Sequence, residues 1–333
     1  MRFAKGHGTE NDFVILLDPY GSQELTAGLA ARLCDRRAGI GGDGVLRAVR
    51  TAACGRCGPG DAVSGHGSGA NEAAGPGVGA EWFMDYRNAD GSLAEMCGNG
   101  IRVFARYLAR HGLVTGPEFT VATRSGPRRV RLDAGGDVTA DMGAVAVLGP
   151  GSAVVADQVY PGLRVSVGNP HLACVVQDSL AAFDLSRPPG LDPGQFPEGG
   201  NVELVRVTGA RSVAMRVHER GSGETRSCGT GAVAAAAAAA ATANGHRGDG
   251  HAGNGHGGNV QAENEQAENE QTGNTWEVTV PGGTLGVTLD AGGARLTGPA
   301  VIVAEGELDP SWLARPGLSH HDHGDMAHPG WRR

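Results

Sequence analysis

Apolar residues recur along the chain in two rhythms, and the clearer of the two is helical. From Ile101 the positions Ile101, Phe104, Ala105 and Leu108 fall at i, i+3, i+4 and i+7, with Arg102, Arg106 and Arg110 on the opposite face and Gly112 beyond the last turn. This predicts a helix of about three turns. Ala232-Val233 and the alanine run to Ala241 predict a second helix, because alanine is the best helix former, with Asn244-Gly245 as its stop. Leu25, Leu29, Ala30 and Leu33 mark a third. The other rhythm is that of strands. Phe13 to Leu17, Trp82 to Arg87, Phe119 to Ala122, Val130 to Leu132, Leu163 to Val167, Leu172 to Val176, Val213 to Val217, Trp276 to Val280, Thr284 to Leu289 and Ala300 to Val303 read as short strands. Between them lie a polar loop over Gly6 to Asp12 and glycine turns at Gly39 to Gly44 and Gly135-Gly136.

The two strongest helices share a preface. Glu95-Met96-Cys97-Gly98-Asn99-Gly100 precedes one and Ser227-Cys228-Gly229-Thr230-Gly231 the other, a repeated Cys-Gly-x-Gly plan. A thiol at a helix start meets unpaired backbone N–H groups and the positive end of the dipole, which favour a thiolate and also bind a carboxylate. One such Cys is ordinarily a small buried apolar residue. The repetition changes that reading, and so does a further parallel: Asn11-Asp12-Phe13-Val14-Ile15 and Asn169-Pro170-His171-Leu172-Ala173 each place an Asn before an apolar run. Two half-chains of similar plan suggest a pseudo-symmetric pair of domains, each contributing one Cys.

Composition narrows the function. A chain of 333 residues can hold two domains, and it has no apolar run near the ~20 residues a membrane span needs. Met1 to Lys5 leads straight into Gly-His-Gly without the pattern of a secretory signal, and six cysteines without dense spacing suit a reducing compartment, so a cytoplasmic protein is expected. The formal charge, 28 − 36 = −8, argues against nucleic acid as a partner. Residues 51 to 80 hold nine glycines and almost no large apolar side chain, and 245 to 274 are mostly Gly, His, Asn, Gln and Glu with a repeat over 261–270, so both read as insertions outside any core. Cys54-Gly55-Arg56-Cys57 in the first insertion has the spacing of a redox pair or half a zinc site, but no second CxxC accompanies it. The tail from Arg315, with His320-His321-Asp322-His323, reads as a mobile terminus. The Gly39 to Gly44 turn lacks the lysine of a P-loop and the order of a dinucleotide fingerprint, so a nucleotide site is not expected.

The motifs together resemble the diaminopimelate epimerase family. The resemblance rests on Asn11-Asp12-Phe13, Asp43-Gly44, Asn88-Ala89-Asp90-Gly91-Ser92 with Met96 to Gly100, Gly168-Asn169-Pro170-His171, Asn201-Val202, and Glu219-Arg220-Gly221-x-Gly223-Glu224-Thr225 with Cys228 to Gly231. It implies an α+β fold of two mixed domains, each a curved sheet around a central helix. The expected division is 1–141 and 142–295, with a return strand to the first domain over 296–314 and a mobile tail over 315–333. It implies epimerisation of L,L-2,6-diaminopimelate to the meso form, in lysine and peptidoglycan precursor biosynthesis, without a cofactor and without a metal. Cys97 and Cys228 would be the catalytic acid/bases. Gly98, Asn99, Gly229 and Thr230 would hold the reacting carboxylate, and Asn11, Asn88, Asn169, Asn201, Glu219 and Arg220 the other polar groups of this small-molecule substrate. His171 and Glu219 would modulate the thiol pKa values. The chain departs from the pattern at Gly44, where some members carry a Gln, and at Glu10, often a Gly, which leaves contacts near that loop open. A proline or hydroxyproline racemase of the same fold, or a metal- or redox-binding module built on the CxxC and the His-rich tail, are the alternative readings. The residues leave open whether the chain forms a homodimer.

Overall fold

The computed structural model describes residues 1–54, 79–248 and 274–314. Most of the two insertions, including Cys57 and the 261–270 repeat, and the His-rich tail lie outside the described residues.

The chain first forms β1 (Arg2–Gly8), β2 (Asn11–Leu17), α1 (Ala27–Cys34), β3 (Gly44–Arg50), β4 (Trp82–Asn88) and α2 (Gly98–Arg110), then β5 (Glu118–Ala122), β6 (Arg128–Leu132) and β7 (Asp137–Gly143). It continues through β8 (Ala146–Val155), β9 (Gln158–Ser166), β10 (Pro170–Val175), β11 (Gly190–Leu191), β12 (Asn201–Gly209), β13 (Ser212–Glu219) and β14 (Gly223–Thr225). Then come α3 (Gly229–Gly248), β15 (Thr275–Val280), β16 (Gly283–Asp290), β17 (Gly293–Pro299), β18 (Val301–Glu307) and a short helix, Pro310–Leu313. Among the described residues no helix is long and apolar enough to cross a membrane.

Pairing sorts these strands into two matching series. In one, β18, β1, β2, β3, β4, β5, β6 and β7 follow one another. In the other, β8, β9, β10, β12, β13, β15, β16 and β17 do the same. Both run antiparallel, antiparallel, parallel, antiparallel, parallel, antiparallel, antiparallel, so β2–β3 matches β10–β12 and β4–β5 matches β13–β15. The last strands of the two series, β7 and β17, pair antiparallel and join them.

Each series wraps one helix. The first packs Phe13, Leu46, Trp82 and Val130 on Ile101, Phe104 and Leu108 of α2. The second packs Val205, Val217, Val278 and Leu296 on Ala232 to Ala239 of α3. A helix apolar on every side is buried on every side, and alanine lets the sheet approach it closely.

Local expectations were met with three differences. The polar loop over Gly6 to Asp12 contracts to a two-residue turn, since β1 and β2 pair out to Gly8 and Asn11 and only Thr9 (φ 50°) and Glu10 (φ 61°) leave the extended region. Positive φ at Glu10 explains why glycine suits that position. Helix α3 runs past Asn244-Gly245 to Gly248, because one glycine costs only about 1 kcal/mol and the alanine run propagates through it. Arg102, placed by periodicity on the outer face of α2, is fully buried: its guanidinium donates to Gly98 O (3.1 Å) and to Thr9 Oγ1 (3.5 Å). The β1–β2 turn at Gly8 and Thr9 and Gly298 of β17 cover that side of the helix, which periodicity along one helix cannot foresee.

Candidate active site

Both Cys-Gly-x-Gly segments adopt the same cap. Cys97 is the N-cap of α2 in extended conformation, its Sγ accepting from Gly100 N–H at 3.3 Å and its carbonyl from Ile101 N–H at 2.9 Å. Cys228 repeats this before α3, with Gly231 N–H to Sγ at 3.4 Å and Ala232 N–H to its carbonyl at 2.9 Å. The two helix starts abut, and a methyl group at Gly229 would come within 3.0 Å of Gly98 Cα and 3.3 Å of Asn99 N. Only glycine permits that approach.

Asn99 ties the junction. It is 0 % exposed, and its Nδ2 donates to Ser227 O (3.1 Å), Ser227 Oγ (3.2 Å) and Asn11 Oδ1 (3.2 Å). Ser227 Oγ in turn lies 2.6 Å from Thr9 Oγ1.

The remaining predicted residues fall in two groups. Asn11 donates to Asp43 Oδ2 (2.7 Å) and turns its Oδ1 to Cys97 Sγ (3.7 Å). Asn169 donates to Thr230 Oγ1 (3.4 Å), which is 3.5 Å from Cys228 Sγ, and its Oδ1 meets His171 Nε2 at 2.9 Å. Glu219 accepts from Thr225 Oγ1 at 2.5 Å and lies near both thiols. These side chains converge on the junction. Asn201 instead braces backbone, donating to Pro170 O (3.1 Å) and accepting from Arg220 N–H (3.0 Å). The Asn88 amide donates to Ser92 Oγ (3.0 Å), and the exposed Arg220 guanidinium lies 3.7 Å from Glu198 Oε2. Gly44 has no room for a longer side chain: a methyl there would come within 2.6 Å of Arg87 O and of the Tyr86 ring.

Sequence reasoning missed Glu203, which is 0 % exposed with Oε1 2.7 Å from His171 Nδ1. An acid flanked by Val202 and Leu204 in an apolar strand was the available signal. It also missed Thr9 and Ser227, which carry no pattern of their own.

The expectation that helix starts lower the thiol pKa values is overturned. Burial pushes Cys97 up to about 11, against the opposing Gly100 and Asn99 N–H groups. Cys228 is pushed well above the usual range, first by burial and then by the carboxylates of Glu219 and Glu203. Burial also raises Glu219. Removing a thiolate from water outweighs what a few backbone N–H contacts return.

A stability consequence follows for Cys97. Between the usual 9.0 and about 11 the folded chain keeps a proton that the unfolded chain releases, so stability is intact below pH 9 and falls as pH rises through that window, by about 2–3 kcal/mol. Urea unfolding of wild type and Cys97→Ser from pH 8 to 11.5 should show a shallower decline in the variant, whereas parallel curves would refute the burial argument.

Among the described residues no cluster of three or more His, Cys, Asp or Glu is placed to hold a metal ion.

At the level of fold, the chain falls with α+β proteins built from two such halves. A phenazine biosynthesis protein of the PhzF family from Bacillus anthracis aligns at TM-score 0.57 and 14 % identity, covering 92 % of this chain and 98 % of that one. A hydroxyproline epimerase from Agrobacterium vitis, solved with bound trans-4-hydroxy-L-proline, aligns at 0.52 and 12 %, covering 92 % and 91 %. Sequence is more specific: this chain belongs to the diaminopimelate epimerase family, whose sequence model matches residues 3–148 and 163–306. It is 52 % identical to the diaminopimelate epimerase of Thermobifida fusca (strain YX), over 94 % of this chain and all of that one. It is 49 % identical to that of Streptomyces coelicolor, over 93 % and 96 %.

Proposed function

We propose that this chain epimerises one α-carbon of 2,6-diaminopimelate, converting the L,L to the meso form for lysine and peptidoglycan precursor synthesis, with Cys97 and Cys228 as paired acid and base. The observation that carries the reading is the abutment of two Cys-capped helix N-termini. The substrate α-carboxylate lies against the N–H groups of Gly98, Asn99, Gly229 and Thr230, where two positive dipole ends stabilise the enolate-like charge formed when the α-proton leaves. One sulfur, as thiolate, takes that proton, while the other, as thiol, delivers one to the opposite face. Burial makes whichever thiolate forms a strong base, as a weakly acidic C–H requires. Burial raises the Glu219 carboxyl, whose negative charge opposes thiolate formation at both sulfurs. Asn11 and Asn169, each beside one sulfur, and Glu219, near both, supply hydrogen bonds to the substrate, with Asn88, Asn201 and Arg220 around its distal end. The domain division at 141/142, with β18 returning to β1, gives each domain one cysteine. The reading places the enzyme in the cytoplasm, where both thiols stay reduced.

The test is direct. Protein stripped of metal and of pyridoxal phosphate, supplied with L,L-diaminopimelate, should produce the meso form up to an equilibrium mixture. Turnover of proline or hydroxyproline with none of diaminopimelate would replace this reading with the racemase one.

A further inference from the structure

The two halves match strand for strand, yet the surroundings of their sulfurs do not. Phe13 pairs with Gly44 across β2 and β3, as His171 pairs with Asn201 across β10 and β12. Two residues further along the strands, Ile15 pairs with Leu46 and Ala173 with Glu203. Gly100 and Gly231 match likewise, each sending its N–H to the sulfur of its own cap. A methyl group at Gly100 would meet Leu46 Cδ2 at 3.3 Å and Phe13 Cζ at 3.5 Å, whereas at Gly231 it would meet Glu203 Oε1 at 2.8 Å. The apolar pair behind Cys97 is therefore replaced, behind Cys228, by an imidazole and a carboxylate.

That carboxylate anchors a chain of contacts. Glu203 Oε1 is 2.7 Å from His171 Nδ1, His171 Nε2 is 2.9 Å from Asn169 Oδ1, Asn169 Nδ2 donates to Thr230 Oγ1 at 3.4 Å, and Thr230 Oγ1 is 3.5 Å from Cys228 Sγ. Both His171 and Glu203 are 0 % exposed, and Glu203 Oε2 has no hydrogen-bond partner among the described residues. An acid that serves packing alone would not be retained in so costly a position, where the matching half carries leucine.

We propose that Glu203 is a positioning residue that acts on one thiol only: it fixes the His171 ring and through it the Asn169 amide, and its charge sets Cys228 apart from Cys97. The charged and titratable groups around Cys228 are Glu219 from β13, Glu203 from β12 and, bonded to Glu203, His171 from β10, while Glu219, shared by both sulfurs, and Arg102 from α2 act on Cys97. The two thiols of a nearly symmetric site are thereby made unequal, and the enzyme holds a preferred acid and a preferred base. The second half of this statement rests on the two-thiol reading above, but the coupling of Glu203 to Cys228 does not.

The experiment uses Glu203→Gln, which keeps shape and loses charge, and Glu203→Leu, which installs the residue of the matching half. Alkylation of Cys97 and Cys228 by iodoacetamide is followed against pH and assigned by peptide mapping. In Glu203→Gln the midpoint of Cys228 is expected to fall by at least about half a pH unit with that of Cys97 unchanged, because a negative charge has left one sulfur only. The pH profile of kcat/KM should shift with it, and kcat should fall at least about tenfold. Glu203→Leu should lose more, since His171 and Asn169 are released as well. Equal movement of both midpoints in Glu203→Gln, or movement of neither, overturns the proposal. Unequal movement in a protein that does not turn over diaminopimelate would leave the coupling standing and remove the function.

Discussion

Cys97→Ala and Cys228→Ala are each expected to abolish epimerisation, lowering kcat/KM by at least about four orders of magnitude, or about 5.5 kcal/mol. The size follows from the architecture: one sulfur caps each helix, the caps belong to different strand series, and no other described cysteine lies at the junction. Losing either removes the acid or the base, and members of a unit that acts together do not share the loss. Both variants should fold, since each substitution removes one heavy atom and one cap hydrogen bond, to Gly100 or Gly231, at a cost of about 1 kcal/mol. In deuterated water, starting from one stereoisomer, early product should carry deuterium at the inverted carbon while unreacted substrate stays largely protiated. The sulfur that delivers has already exchanged with solvent, and the sulfur that abstracts holds its proton on the other face. Label in both pools from the first turnovers, or appreciable epimerisation by either single variant, would point to a one-base mechanism.

Asn99→Ala is the second large effect. The side chain is fully buried and bonds to Ser227 O, Ser227 Oγ and Asn11 Oδ1, so its removal orphans Ser227 O and takes one of two partners from Ser227 Oγ and from Asn11 Oδ1 across the helix junction. Each buried group so orphaned costs about 1–3 kcal/mol. Unfolding in urea should show a loss of about 2–4 kcal/mol, and kcat/KM should fall at least about a hundredfold because the two caps are no longer held in register. A variant stable to within about 0.5 kcal/mol, or one that keeps a third of wild-type activity, would show that the junction is held elsewhere.

Much of the site was legible because its residues bind locally. A Cys before Gly-x-Gly and an apolar helix makes its cap from its own next turn, and Gly100 and Gly231 confirm this with bonds three residues away. Helix α2 and most strands were legible for the same reason, through period and punctuation. Strands β7, β8 and β17 were harder. Ala146–Val155 carries Gly149, Pro150 and Gly151, and Gly293–Pro299 is bounded by glycine and proline, so breakers masked the alternation.

What the residues determined unaided was a pair of similar half-chains, each with a thiol at a helix start and an Asn before a strand, while the family came from the resemblance of their motifs. What only tertiary structure decided was everything that depends on one half meeting the other. The β7–β17 ladder joins the two strand series, Arg102 is buried against Thr9 of its own half and Gly298 of the other, Glu203 stands where its counterpart is Leu46, and the thiols are pushed up rather than down. The physical reason is range. Caps, turns and periodicity act over a few residues, whereas burial and pairing between positions more than a hundred residues apart exist only once the chain has closed on itself.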